Sequence, residues 1–318
     1  SRKNIWVGTW GCGLQLLHEP YEPSRTTCTT FTSSESDKHS ISDNIIYSMG
    51  EDESSHSLWV GTRRGLSLLS LKNITPPPSN VRPELSNGLI FENYFVSDVY
   101  KTITSGEVSS LCRDRQGNLW IGMIGGGVQF VNPRKVRFQL NRLSPMTRLL
   151  GANSVRSLLA DDEDILWIGT SSEGFAMLNR TTGQLTYYKQ WPEFGERYKL
   201  PTVMCMMQSP STGHIWMGVY NNGIYEIDKS APVGKKVTHY ADEAWVGDGC
   251  VYGLLEDADR NLWVASRTGV FVRMSDGRSV RLDFSKVLPQ EDALFVQLIQ
   301  GNGDEKWIAS GTHGVLRV

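Results

Sequence analysis

The sequence predicts an all-β protein: a seven-bladed β-propeller of four-stranded antiparallel blades. Three observations carry this. A Trp-Gly pattern recurs seven times, as Ile5-Trp6-Val7-Gly8, Leu58-Trp59-Val60-Gly61, Leu119-Trp120-Ile121-Gly122, Leu166-Trp167-Ile168-Gly169, Ile215-Trp216-Met217-Gly218, Leu262-Trp263-Val264-Ala265 and Lys306-Trp307-Ile308-Ala309. Each copy is followed, after a short turn, by Gly and an apolar residue, from Gly13-Leu14 to Gly314-Val315. The tryptophans stand 44 to 61 residues apart. That period suits a propeller blade and is too long for leucine-rich or ankyrin repeats.

One unit reads as four strands. In the third copy, Val108 to Arg113 is a short apolar strand, and Asp114-Arg115-Gln116-Gly117-Asn118 a tight turn with Gly and Asn where positive φ is expected. Leu119 to Met123, Gly127 to Val131 and Val136 to Asn141 complete the blade. In the third, fourth and sixth copies an Asp (Asp114, Asp161, Asp257) stands six residues before the Trp. A lone blade cannot bury both faces, so blades must stack, and radial closure protects their edges. A Trp at one fixed position per blade is the expected wedge. The Gly two residues later leaves room for a neighbour's bulk. The two longest steps hold insertions, one at Ser33 to Ser42 and one from Pro76 to about Gly88. The chain opens on the second strand of a blade and stops after a third. The first blade is therefore expected to lack its first strand and the last its fourth. Residues 1–318 read as a single propeller domain, a fragment of a longer protein.

Composition narrows the function. A formal net charge of −2 argues against nucleic acid, which requires a basic face. No run of about 18 apolar residues could span a bilayer. The five cysteines form no CxxC pair and read as small apolar strand residues. There is no GxSxG, P-loop, HExxH or kinase signature, so no catalytic residue is assigned. The six histidines show no metal-ligand spacing, and no cofactor or metal is expected. The acidic runs Asp161-Asp162-Glu163-Asp164 and Asp257-Ala258-Asp259 fall on turns, where solvated carboxylates are the ordinary expectation and calcium the alternative.

Strand counting places the second-to-third-strand turns and the blade-to-blade connections at one end of the blades. The turns carry Trp10, Arg63, Arg64, Glu173, Tyr220, Asn221, Asn222, Arg267 and His313. The connections carry Trp191, Glu193, Tyr198, Trp245 and Asp248, so all three tryptophans outside the repeat fall at this end. Aromatic rings with Arg, Asn and carboxylates around a mouth suit a polar ligand with apolar faces, such as a sugar. Packing of these rings within their own loops or against a partner domain is the competing expectation. A propeller enzyme would place its groups at the same mouth, with Glu173, Arg63, His313 and Tyr220 as first suspects.

The repeat resembles the two-component regulator propeller repeat, with its Asp-x-x-Gly-Asn-Leu-Trp-Ile-Gly-Thr-x-x-Gly-Leu pattern. Asp114 to Gly122 fits closely, and Leu58 to Leu66 and Leu166 to Phe175 fit well. The sixth and seventh copies depart, with Ala265 and Ala309 in place of Gly. The resemblance implies the periplasmic sensor region of a hybrid two-component system that regulates glycan-utilisation genes. It further implies an oligosaccharide ligand, a second propeller and an immunoglobulin-like domain in the same full-length chain, homodimerisation of that chain, and a histidine kinase elsewhere in it.

Overall fold

A computed structural model describes residues 4–20, 26–72, 89–96, 102–132, 137–139, 154–194, 202–241, 243–288, 294–311 and 314–318. The second insertion, Tyr198 and His313 lie outside the described residues. The chain is an all-β, seven-bladed propeller whose antiparallel sheets follow one another in sequence. It divides into two compact units, Ser1–Val155 and Arg156–Val318.

The first unit holds three sheets. The first is β1 (Asn4–Gly8), β2 (Leu14–His18) and β3 (Thr27–Phe31). The second is β4 (Ile46–Asp52), β5 (Ser57–Thr62), β6 (Leu66–Ser70) and β7 (Phe91–Tyr94). The third is β8 (Val108–Arg113), β9 (Leu119–Met123), β10 (Gly127–Asn132) and β11 (Arg137–Gln139). In the second unit β12 (Val155–Ala160, its first residue on the division), β13 (Ile165–Thr170), β14 (Phe175–Asn179) and β15 (Leu185–Tyr187) form the fourth sheet. The fifth is β16 (Val203–Gln208), β17 (Ile215–Val219), β18 (Gly223–Ile227) and β19 (Val237–Tyr240). The sixth is β20 (Val251–Glu256), β21 (Leu262–Ser266), β22 (Gly269–Arg273) and β23 (Ser279–Arg281). The seventh is β24 (Phe295–Gln300), β25 (Lys306–Ser310) and β26 (Gly314–Arg317). Among the described residues, the first and last sheets therefore have three strands, missing the positions the repeat alignment predicts.

The repeat tryptophans act as wedges. Trp59 packs on Val108, Leu119 and Ile121 of the next sheet, and Trp167 on Val203, Ile215 and Met217. Trp216 packs on Val251, Leu262 and Val264 in the same way. Burying a ring of this size is worth about 4–6 kcal/mol of transfer free energy as an upper bound. The repeat glycine makes the approach possible. A Cβ on Gly218 would lie 2.5 Å from Cys205 Sγ and 2.6 Å from Val251 Cγ1; one on Gly169 would collide with Ser157 Oγ and lie 2.9 Å from Val203 Cβ. The sixth copy inverts this arrangement. Ala265 of β21 pairs with Gly253 of β20, so the strand that loses its glycine faces one that gains it.

Successive sheets are also tied by hydrogen bonds at a constant separation. Ser157 Oγ donates to the Val203 carbonyl at 2.9 Å, across 46 residues. Cys205 Sγ reaches the Val251 carbonyl at 3.9 Å with the same separation.

Candidate functional site

The two ends of each blade differ in chemistry. At one end lie the turns that follow each sheet's first strand, and in the third, fourth and sixth blades an Asp there bonds its own turn and its own blade's indole. Asp257 accepts hydrogen bonds from the backbone of Asp259 and Asn261 at 3.0 and 2.9 Å, from Asn261 Nδ2 at 3.1 Å, and from Trp263 Nε1 at 2.8 Å. Asp114 binds Trp120 Nε1 at 2.9 Å, and Asp161 binds Trp167 Nε1 at 2.9 Å. The six-residue spacing thus brings a carboxylate to the indole N–H of its own blade. This corrects the expectation of solvated carboxylates for Asp161, only 1% exposed, and for the half-buried Asp257, whereas Asp162, Glu163 and Asp259 are exposed. The Lys229 ammonium sits 2.9 Å from Asp161, 3.0 Å from Glu163 and 3.8 Å from Asp162, occupying the position a cation at this acidic run would take.

At the opposite end a recurrent hydrogen bond fixes the mouth. In five of the sheets the first residue of the second-to-third-strand turn donates its N–H to the carbonyl just before the sheet's first strand. Examples are Arg63 to Ile45 at 3.1 Å, Tyr220 to Thr202 at 3.0 Å and Arg267 to Cys250 at 3.2 Å. Immediately beyond that carbonyl the strand bulges. Register shifts occur between Ile46 and Ser48, Val108 and Ser110, Val203 and Cys205, Val251 and Gly253, and Phe295 and Gln297. A bulge re-aims the extra side chain. It places Tyr47 and Tyr252 beside the turns, two residues the strand-counting argument omitted. Their signal in the sequence is an aromatic residue directly after the strand's first apolar one.

In the first unit, Trp10 is 77% exposed and meets Tyr47 edge to face, with ring centroids 5.9 Å apart. Arg63 pairs with Asp43 at 3.3 Å, and Arg64 is exposed. In the second unit, Tyr220 is 38% exposed and Asn221 holds a left-handed φ of 53°. Asn221 Oδ1 accepts from Cys250 Sγ at 2.5 Å. Arg267 donates Nε to Asp248 Oδ2 at 2.6 Å, while Asp248 Oδ1 accepts the Cys250 N–H at 3.2 Å. The Asp248 hydrogen bond and charge raise the Arg267 pKa. Burial raises that of the Tyr252 phenol, helped by Cys250 and Tyr220 and opposed by Arg267.

Other expected contacts are engaged elsewhere. Trp245 is 5% exposed, 5.0 Å from the Tyr240 ring, with the Arg273 guanidinium 5.2 Å from its centroid. Its place is interior, because the short 3₁₀ turn at Ala244–Val246 folds the ring inward, and it leaves the set of candidate contacts. Trp191 is half-buried, edge-on to Trp167 and Phe175 at 6.3 and 6.2 Å, with Lys236 5.6 Å from its ring. Asn222 Nδ2 donates to Tyr225 OH at 2.9 Å. The half-buried Glu173 donates its N–H to Thr170 Oγ1 at 2.9 Å. Glu193 Oε1 accepts the Gly234 N–H at 2.7 Å.

The chain is thus a seven-bladed β-propeller of antiparallel blades. The repeats place it more closely. Residues 102–125 and 149–172 match the two component regulator propeller model, so the chain carries two-component regulator propeller repeats. No curated protein sequence matches the chain. Among solved structures, the extracellular domain assigned to hybrid two component system BT3049 from B. thetaiotaomicron superposes with a TM-score of 0.73 at 15% identity, over 99% of this chain and 38% of that one. The extracellular domain assigned to one component system BT4673 of the same organism gives 0.63 at 17% identity, over 100% and 46%. The chain thus spans less than half the length of both. A streptogramin B lyase structure gives 0.59 at 13% identity, over 90% and 85%. At these identities the likeness is one of fold. Among the described residues no helix is long and apolar enough to cross a membrane.

Proposed function

We propose that this chain is the ligand-sensing, extracytoplasmic propeller of a hybrid two-component signal-transduction protein that responds to an oligosaccharide and regulates glycan use. The single observation that carries this reading is the contrast between blade ends. In three blades one end turns its Asp onto the blade's own turn and indole, while the other end leaves Trp10, Tyr220 and Arg267 facing solvent. Aromatic faces beside guanidinium and amide donors match the alternation of apolar ring faces and hydroxyls on a sugar. The repeat match supports the sensor assignment. In the full-length protein this propeller would adjoin a second propeller and an immunoglobulin-like domain in the periplasm, within a homodimer, and a kinase elsewhere in the chain would supply the catalysis.

Calorimetry against plant, host and microbial oligosaccharides, with product analysis on the same samples, tests the reading. Saturable binding with the sugar recovered intact is the expected result. Turnover would favour the second reading, a carbohydrate-active propeller enzyme, which the fold shared with a lyase keeps open. Trp10→Ala should weaken binding with an unchanged melting temperature. Trp245→Ala should instead destabilise the protein by about 3–5 kcal/mol, as expected for a buried ring.

A further inference from the structure

The polar groups at the mouth of the second unit are unequal. Asp248 uses both oxygens, one on Arg267 Nε and one on the Cys250 N–H. Cys250 binds Asn221 in turn, and the Arg267 backbone N–H returns to the Cys250 carbonyl. The guanidinium is therefore held by its inner nitrogen, with a carboxylate whose side chain is 17% exposed as the anchor for an arginine that is 53% exposed. Among the described residues, Arg267 Nη1 and Nη2 and the Tyr220 and Tyr252 hydroxyls make no hydrogen bond to protein. The 220–223 turn is bonded to Gly249 and Cys250, and Arg267 to Cys250, so the three tips with unengaged donors stand on backbone segments tied to one another, two of them on aromatic rings.

We infer that Arg267, Tyr220 and Tyr252 form a subsite for an acidic sugar, in which the paired Nη donors of Arg267 grip a uronate carboxylate and the tyrosines meet the ring. This rests on the oligosaccharide reading above and narrows it to a charged class. The planar fork of a guanidinium matches a carboxylate with two parallel N–H···O bonds, which a lysine cannot reproduce. Asp248 is a positioning residue, since it orients the fork and does not face the ligand with a free oxygen.

The test is calorimetry of the whole chain with tri- to hexasaccharides of galacturonate, mannuronate and hyaluronan. Their methyl esters and neutral oligosaccharides of the same length serve as controls. Binding of at least one acid form is expected, with loss on esterification. Arg267→Gln and Arg267→Lys should each weaken it about 10- to 100-fold, the range for a charge-assisted hydrogen bond. Tyr252→Phe should weaken it about fivefold. Asp248→Asn should weaken it while leaving the dependence on esterification intact. An unchanged thermal melt in the Arg267 variants, whose side chain is exposed, keeps misfolding out of the comparison. Binding of neutral sugars alone, or acid binding indifferent to Arg267, would overturn the subsite and leave the sensor reading standing. Silence toward both classes would overturn the two together.

Discussion

At the scale of single residues, the Asp-Trp pairs join turn to core. Each carboxylate organises its turn and also satisfies an indole N–H, which would otherwise be buried at a cost of about 1–3 kcal/mol. Burial pushes the Asp257 pKa upward, but the hydrogen bonds from Trp263 and Asn261 and the charge of Lys306 outweigh it, and the net direction is down. The folded protein therefore binds this proton less readily than the unfolded chain, whose Asp titrates near 3.8. Stability from Asp257 is full above that value and is lost as pH falls through the lower, folded-state pKa. Asp257→Asn should lower the melting temperature at neutral pH, and the difference from wild type should shrink as the melts are carried to pH about 3. A difference constant with pH would remove the carboxylate from this role. The spacing of Asp and Trp was plain in the sequence. The bond between them was not, because the direction of a side-chain hydrogen bond depends on how the turn closes. For the same reason Lys229, 68 positions from Asp161, was invisible as the partner of the acidic run.

At the scale of the element, the strand pattern was legible almost residue by residue in the third blade. Its first two strands coincide with Val108–Arg113 and Leu119–Met123. Short strands that alternate between packing partners leave a strong period-2 and Gly-Asn turn signal. The bulges were not legible, because an extra residue leaves the composition unchanged and alters only register. That is why Tyr47 and Tyr252 escaped a reading built from loops. The pairing of small residues is another tertiary property: Ala265 looked like a departure from the repeat until Gly253 was seen across from it. It makes a quantitative prediction. Gly218→Ala should destabilise by about 1–3 kcal/mol, because the new methyl meets Cys205 and Val251 in a packed interior. Adding Cys205→Gly, which copies the Gly-Ala arrangement of the sixth blade, should recover part of the loss. Strict additivity in the denaturant-unfolding cycle would show that the two positions do not share the space.

At the scale of the whole molecule, seven sheets built to one plan differ from one another chiefly in their turns and connections. The sequence located the end of the blades at which to search. It did not distinguish rings that face solvent from rings that close a loop, since Trp10 and Trp245 are alike in a strand count and opposite in burial. A stack of rigid blades has no evident two-state element of its own, so a bound sugar can signal only through unequal contacts with two arrangements of the larger protein. The propeller itself should change locally. Hydrogen exchange on the second unit with saturating sugar should show added protection at 220–222, 248–252 and 267–268, the segments that carry Tyr220, Tyr252 and Arg267. The turns at 161–165 and 257–261, whose amides are already bonded to Asp161 and Asp257, should exchange at the same rate with and without ligand. Protection confined to those acidic turns would place the ligand at the wrong end of the blades. Protection spread across every strand would mean that binding stiffens the whole second unit, and the signal would then be carried by the dynamics of that unit as well as by its mouth.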